Sequence, residues 1–118
     1  MDSSPISIFL KQHGISLFND YGINDYVLSS RDSLTLIELA KKEIIPIIGG
    51  DVYSIDDNNN LLLGDYYWLS WSCNRNQDET VETKSYFERS IEMAEKQIVK
   101  VENTARKKNV LLYINFVF

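Results

Sequence analysis

Apolar positions recur along the chain with two periods, one helical and one extended, and the changes between them mark out its elements. Ser4 before Pro5 reads as a helix N-cap followed by a first-turn proline, whose fixed φ and missing N–H suit that position. Ile6, Phe9, Leu10 and His13 continue at helical spacing, and Gly14 is the expected stop. A second short turn through Ile15, Phe18 and Tyr21 is expected to end near Gly22. Tyr26-Val27-Leu28 is a brief apolar lead into the next element. Asp32 or Ser33 is expected to cap a helix running to about Glu43. Leu36, Ile37 and Ala40 would form its buried face, and Lys41 and Lys42 would complement the negative end of its dipole.

The period then changes. Residues 44–48, Ile-Ile-Pro-Ile-Ile, are short, mostly β-branched and bounded by Gly49-Gly50, which predicts a buried strand. Pro46 has no N–H for a ladder, which places that strand at an edge or makes it start late. Gly49 and Gly50 predict a sharp reversal, open to positive φ, whose freed backbone groups Asp51 would bond. Residues 51–55 read as a second strand, Asp56-Asp57-Asn58-Asn59-Asn60 as a turn, and residues 61–63 as its return. Residues 66–73 read as a further strand, with Tyr67, Leu69, Trp71 and Cys73 toward the core and Tyr66, Trp68, Ser70 and Ser72 outward. A polar loop over residues 74–80 comes next. Residues 81–107 carry the clearest helix, because Phe87, Ile91, Ala94, Ile98, Val101 and Ala105 succeed one another at 4, 3, 4, 3 and 4 residues. The stripe is too short for a coiled coil and marks a core-facing helix. Glu92/Lys96 and Glu102/Arg106 are i,i+4 pairs in the favourable order. Residues 110–118, apolar nearly throughout, are expected at the centre of the sheet. The order implies one α+β domain over residues 1–118: a mainly antiparallel sheet of four to five strands, with N-terminal helices and one long helix packed on it.

Composition narrows the function classes. An apolar fraction of 44% is too high for disorder. No apolar run approaches the roughly 20 residues of a membrane span. Met1-Asp2-Ser3-Ser4-Pro5 has neither a basic region nor a long apolar stretch after it, so no signal peptide is expected. Cys73 is the only cysteine, which rules out an intrachain disulfide and a zinc site built on thiolates. These features imply a cytoplasmic protein that does not enter membranes. The net charge of −5 is unevenly spread: residues 1–82 hold thirteen acidic and five basic side chains, a balance of −8, and residues 83–118 hold four and seven, a balance of +3. An acidic surface repels nucleic acid and attracts a basic protein. An excess of carboxylates also serves solubility alone.

Chemistry finds little to stand on. His13, the one histidine, falls at a predicted helix end, where the dipole gives it a structural role. Cys73 has no nearby base in sequence and reads as a core residue. The carboxylates Asp51, Asp56, Asp57 and Asp65 lack the spacing and central glycine of a calcium loop. Gly49-Gly50-Asp51 continues as Val52-Tyr53, not with the Glu-Phe of cyclic-dinucleotide synthases. Nothing indicates catalysis, a metal or a cofactor. The remaining feature is the aromatic run of residues 66–71 beside carboxylates, a composition suited to protein recognition.

Gly49-Gly50-Asp51-Val52-Tyr53 directly after an amphipathic helix resembles the signature of a bacterial immunity protein family, the one numbered forty among those that counter polymorphic toxins. Trp71-Ser72-Cys73 resembles its second landmark, and Tyr86, Arg89-Ser90 and Ala94 are similar to its pattern at the start of the long helix. The resemblance covers about residues 26–118. It departs where Leu69-Ser70 precedes Trp71, a place the family commonly fills with polar residues. It implies a protein that binds and neutralises a cognate toxin without a cofactor; a monomer or weak homodimer is expected. Asp56, Asp57, Asp65, Tyr66 and Trp68 are the expected toxin contacts. The alternatives are a small ligand-binding or regulatory domain and, third, an enzyme using Asp51 or Cys73.

Overall fold

The computed structural model describes residues 4–118. The reading of Met1, Asp2 and Ser3 lies outside them. The first helix, α1 (Pro5–His13), begins as expected: the Ser4 hydroxyl accepts from the Ser7 N–H at 3.2 Å, and Pro5 opens the first turn. Residues 15–22 differ from the expected single turn. Ile15–Ser16 is a short strand, β1, and Phe18–Tyr21 a short helix, α2, closed by Gly22 at φ 66°. The residue buried there is Leu17, while Phe18 stays 62% exposed.

Strand β2 (Tyr26–Ser29) runs directly into helix α3 (Ser30–Glu43). The cap is Ser29, not Asp32 or Ser33. Its hydroxyl accepts from the Asp32 N–H at 3.2 Å, and the Ser33 hydroxyl donates back to the Ser29 carbonyl at 2.7 Å. A capping side chain must precede the first free N–H groups by two or three residues, so the serine ahead of Asp32 wins. Leu36, Ile37 and Ala40 are buried as the periodicity requires.

Residues 44–48 are not a strand. Ile44 caps α3 in the left-handed conformation at φ 55° and is 72% exposed, and Ile47 alone among them is fully buried. The strand β3 starts at the glycines and spans Gly49–Ile55. Asp56 then closes the turn as predicted. Its Oδ1 accepts from the Asn58 and Asn60 N–H groups at 2.8 and 2.9 Å, and Asn59 takes φ 63°. Leu61–Leu62 returns as β4. Residues 66–73 do not form one strand: Tyr67–Leu69 is a single 3-10 turn, and only Trp71–Ser72 (β5) pairs. The long helix α4 (Lys84–Lys108) starts three residues later than expected and ends on Asn109 at φ 54°. Strand β6 (Leu112–Val117) is central, as its apolar run requires.

The sheet order is β1-β2-β6-β3-β4, with β5 also on β3, and every pairing is antiparallel. The longest ladder joins β3 and β6 from Gly49↔Val117 to Ser54↔Leu112. The fold is α+β. Six strands stand where four to five were expected, because β1, β4 and β5 are two residues each. One face carries the main core, in which Ile6 of α1, Leu36, Ile37 and Ala40 of α3, and Ile91, Ala94, Ile98 and Val101 of α4 meet Leu28, Val52, Leu112, Ile114 and Phe116. The other face carries a smaller cluster of Leu17, Val27, Tyr53 and Leu61, with Tyr113 against it. The α2 segment ties down that second face: Asp20 accepts from the Leu61 N–H at 3.0 Å, the Tyr21 hydroxyl accepts from the Leu63 N–H at 3.0 Å, and the Tyr21 ring meets Tyr53 edge-on. Apolar side chains thus leave β6 in both directions, which accounts for a run that is apolar but for Asn115.

Ser29→Ala is expected to destabilise the protein by about 1 kcal/mol, the usual value of an N-cap, whereas Asp32→Ala should cost only a few tenths through the helix dipole. Denaturant titration of the two variants separates the cap from its neighbour.

Candidate functional site

The two stretches that stand out in the sequence, the glycine pair and Trp71-Ser72-Cys73, meet in space. Gly50 pairs with Trp71 and Gly49 with Ser72, and the Cys73 N–H extends the pairing to the Ile48 carbonyl at 2.6 Å. The glycines do not make a reversal. Neither has a positive φ; both lie buried in the strand. They are needed for close approach: a Cβ on Gly49 would collide with the Trp71 carbonyl oxygen, and one on Gly50 would collide with the six-membered ring of the Trp71 indole. Phe116 holds that indole edge-on from the sheet, with ring centroids 6.0 Å apart.

Helix α4 fixes the segment from outside. Its Tyr86 hydroxyl donates to the Cys73 carbonyl at 2.7 Å, Arg89 Nη2 donates to the Asn74 carbonyl at 3.0 Å, and Gln97 Nε2 donates to the Leu69 carbonyl at 2.6 Å. The Ser90 hydroxyl accepts from the Ile47 N–H at 3.1 Å. From the segment itself, the Ser70 hydroxyl accepts from the Val52 N–H at 3.0 Å and covers β3 between the ends of β4 and β5. Irregular backbone is stable in a partly buried position only when its polar groups find such partners. Arg89 also pairs with Glu79, which in turn accepts from the Ser85 hydroxyl and the Asn76 N–H. The Arg89 guanidinium first, then these two donors, hold the Glu79 carboxyl down to about 2. Cys73 is 3% exposed and packs as a core residue, with Arg89 Nη1 at 3.9 Å from its sulfur.

The clamped segment presents a small aromatic surface. Asp51, Tyr67, Trp68, Ser70, Trp71 and Ser72 line a shallow hollow of about 280 Å³. Tyr67 and Trp68 are 58% and 65% exposed. The Asp51 carboxylate makes no hydrogen bond or ion pair among the described residues, so it does not serve the glycines' backbone as expected. Val52 and Tyr53 are buried on opposite faces of the sheet. Burial first, then the negative charge of Asp51, pushes the Tyr53 phenol up.

Of the expected contacts, Trp68 lies at this hollow. Asp65 is exposed three residues before it, and Tyr66 turns inward to pack on the main core. Asp56 and Asp57 sit at the far end of β3, about 17 Å from Asp51 along the strand at the usual rise per residue. Asp56 is occupied in holding its turn, and Asp57 is exposed. The expected residues therefore span one side of β3 and do not form a single pocket. Strict alternation puts Tyr67 in the core, yet it is exposed. The Gly64-Asp65 break ahead of it is the signal that the strand period does not apply. Among the described residues no group of three His, Cys, Asp or Glu side chains is placed to hold a metal ion. Likewise among them, no helix is long and apolar enough to cross a membrane.

Gly50→Ala is expected to cost about 1–3 kcal/mol through overpacking against the indole. Combined with Trp71→Ala it should cost less than the two changes summed, because the colliding ring is gone; a double-mutant cycle by denaturant unfolding reads this coupling. Since the folded-state pKa of Glu79 is depressed, its stabilising contribution is present above the ordinary carboxylate pKa and is lost as pH falls toward about 2. Glu79→Gln should flatten the decline in melting temperature between those limits.

No curated protein and no solved structure matches this chain. Its sequence does match a family model, that of Immunity protein 40, over residues 17–118. The match begins at the buried Leu17, nine residues before Tyr26, where the resemblance in the sequence begins. It so takes in the α2 segment that covers the second face of the sheet. With nearly the whole chain matched, this protein belongs to the Immunity protein 40 family.

Proposed function

We propose that this protein protects its producer by binding a cognate polymorphic toxin directly, and that the contact runs along the outer side of β3. One observation carries the site: Tyr67 and Trp68 stand exposed beside the unpaired Asp51, on a segment that α4 and β3 hold from below. Large aromatics with few rotatable bonds lose little entropy on binding, and such residues dominate interface energetics when a fixed scaffold presents them. Asp65, Asp57 and Asp56 extend the surface with negative charge. A toxin that attacks nucleic acid needs a basic active site, and an acidic partner is steered onto it and covers it. Tyr66 supports this surface from the core side, while Tyr67 and Trp68 meet the partner. The protein acts in this reading by occupancy alone, in the cytoplasm, with no catalytic step and no cofactor.

The small-ligand alternative draws no support from the same hollow. Its volume of about 280 Å³ falls at or below the ~300–1,000 Å³ of typical ligand pockets.

Co-expression with the C-terminal toxin domain encoded immediately upstream should restore growth and yield a complex that co-purifies. Trp68→Ala is expected to weaken that complex by at least about tenfold, mainly through faster dissociation. Changing Asp56, Asp57 and Asp65 together to Asn should slow association and flatten its salt dependence. Surface plasmon resonance at two salt concentrations measures both. Unchanged kinetics in all variants would remove this surface from the proposal.

A further inference from the structure

We infer that the groove on the other side of Trp71, between β5 and α4, seats an acidic segment of the bound toxin. This rests on the toxin-binding reading and adds a second half to the interface. Arg89, Met93, Lys96 and Lys100 succeed one another at helical spacing along one outward stripe of α4. With Trp71, Ser72, Glu92 and Gln97 they line a groove of about 650 Å³. Its apolar floor is the indole and the Met93 side chain; the Arg89 charge is already met by Glu79, which leaves Lys96 and Lys100 as the rim cations beside the single carboxylate of Glu92.

The rim charges are available. Lys96 pairs only with Glu92 in the same helix, and both side chains are well exposed, at 73% and 66%, so a partner carboxylate displaces this pair at little cost. Lys100 has no ion pair among the described residues. Hydrogen-bonding chemistry points the same way. Trp71 Nε1 and Arg89 Nε, on two side chains that line the groove, are buried without a partner. Indole and guanidinium nitrogens are donors only, so what the site lacks is acceptor oxygen. Both atoms are shielded in the free protein; side-chain rotations of the kind common on complex formation would bring a carboxylate oxygen to them.

The protein's charge makes this choice of occupant specific. The first 82 residues carry a balance of −8, whereas all the charged residues of this groove come from the segment with a balance of +3. An acidic chain segment is repelled by the rest of the surface and accepted here. A toxin engaging both regions must therefore present basic side chains to Asp51, Asp57 and Asp65 and a carboxylate-bearing segment to Lys96 and Lys100. Opposed charge patterns of this kind select one partner against others.

The test uses the full chain, labelled with 5-fluorotryptophan, and the upstream-encoded toxin domain. The protein has two tryptophans, so its fluorine spectrum has two signals, assigned from the free Trp68→Phe variant. Both should move on complex formation. Lys96→Glu combined with Lys100→Glu should weaken binding at least about tenfold while the melting temperature and the free spectrum stay those of wild type. Lys96→Met with Lys100→Met should fall between. Wild-type affinity in both double variants, with the Trp68 signal moving and the Trp71 signal fixed, overturns the groove and leaves the aromatic surface standing. Absence of any complex with the wild-type chain overturns both readings together.

Discussion

The indole of Trp71 lies where a side chain of residue 50 would otherwise be, and much of the molecule is arranged around that contact. Two glycines open the space, the ladder between β3 and β5 sets the height of the ring above the strand, and Phe116 from the central strand meets its edge. The same tryptophan then separates two surfaces, one acidic and aromatic, the other basic and apolar. Removing the ring would collapse the divide between them. A larger residue at position 50 would push it outward and distort both.

The segment from Tyr67 to Asn74 has only a 3-10 turn and a two-residue strand of regular structure, yet it carries the surface proposed to meet the toxin. Its order is borrowed. Tyr86, Arg89 and Gln97 supply donors to its carbonyls from one side of α4, and the helix can do so because another stripe is anchored in the main core by Ile91, Ala94, Ile98 and Val101. A long helix with one apolar and one polar duty converts core stability into placement of an irregular loop.

Much of this fold is legible in the sequence. Periodicity locates α1, α3, α4 and the central β6, and the Asp-Asn run marks its turn, because in those places the local signal and the tertiary environment agree. It fails where they part. Residues 44–48 look like a strand by composition, but the helix ahead needs a left-handed stop and Ile44 supplies it in place of glycine. The glycine pair looks like a turn, because the reason for its missing side chains is an indole more than twenty residues away. A period of two does not hold in the aromatic run, where the 3-10 turn exposes the adjacent Tyr67 and Trp68 together and buries Leu69. The candidate site is accordingly only half visible: Trp68, Asp65 and Trp71 can be named from composition, but Tyr67, Asp51 as an open carboxylate and the stripe on α4 appear only when distant segments are brought together.

The position of β6 has a consequence for how the chain is made. Strands β2 and β3 do not pair with each other; each pairs with β6, Leu28 with Ile114 and Val52 with the same Ile114 from the other side. A nascent chain emerging from the ribosome therefore carries two open edges that no earlier segment closes, and the sheet cannot assemble until residues 112–117 have cleared the exit tunnel. Contacts this remote in sequence are slow to form. Closure of the sheet is then a single late step, and the exposed edges of the waiting strands make that interval the one in which chaperones matter most.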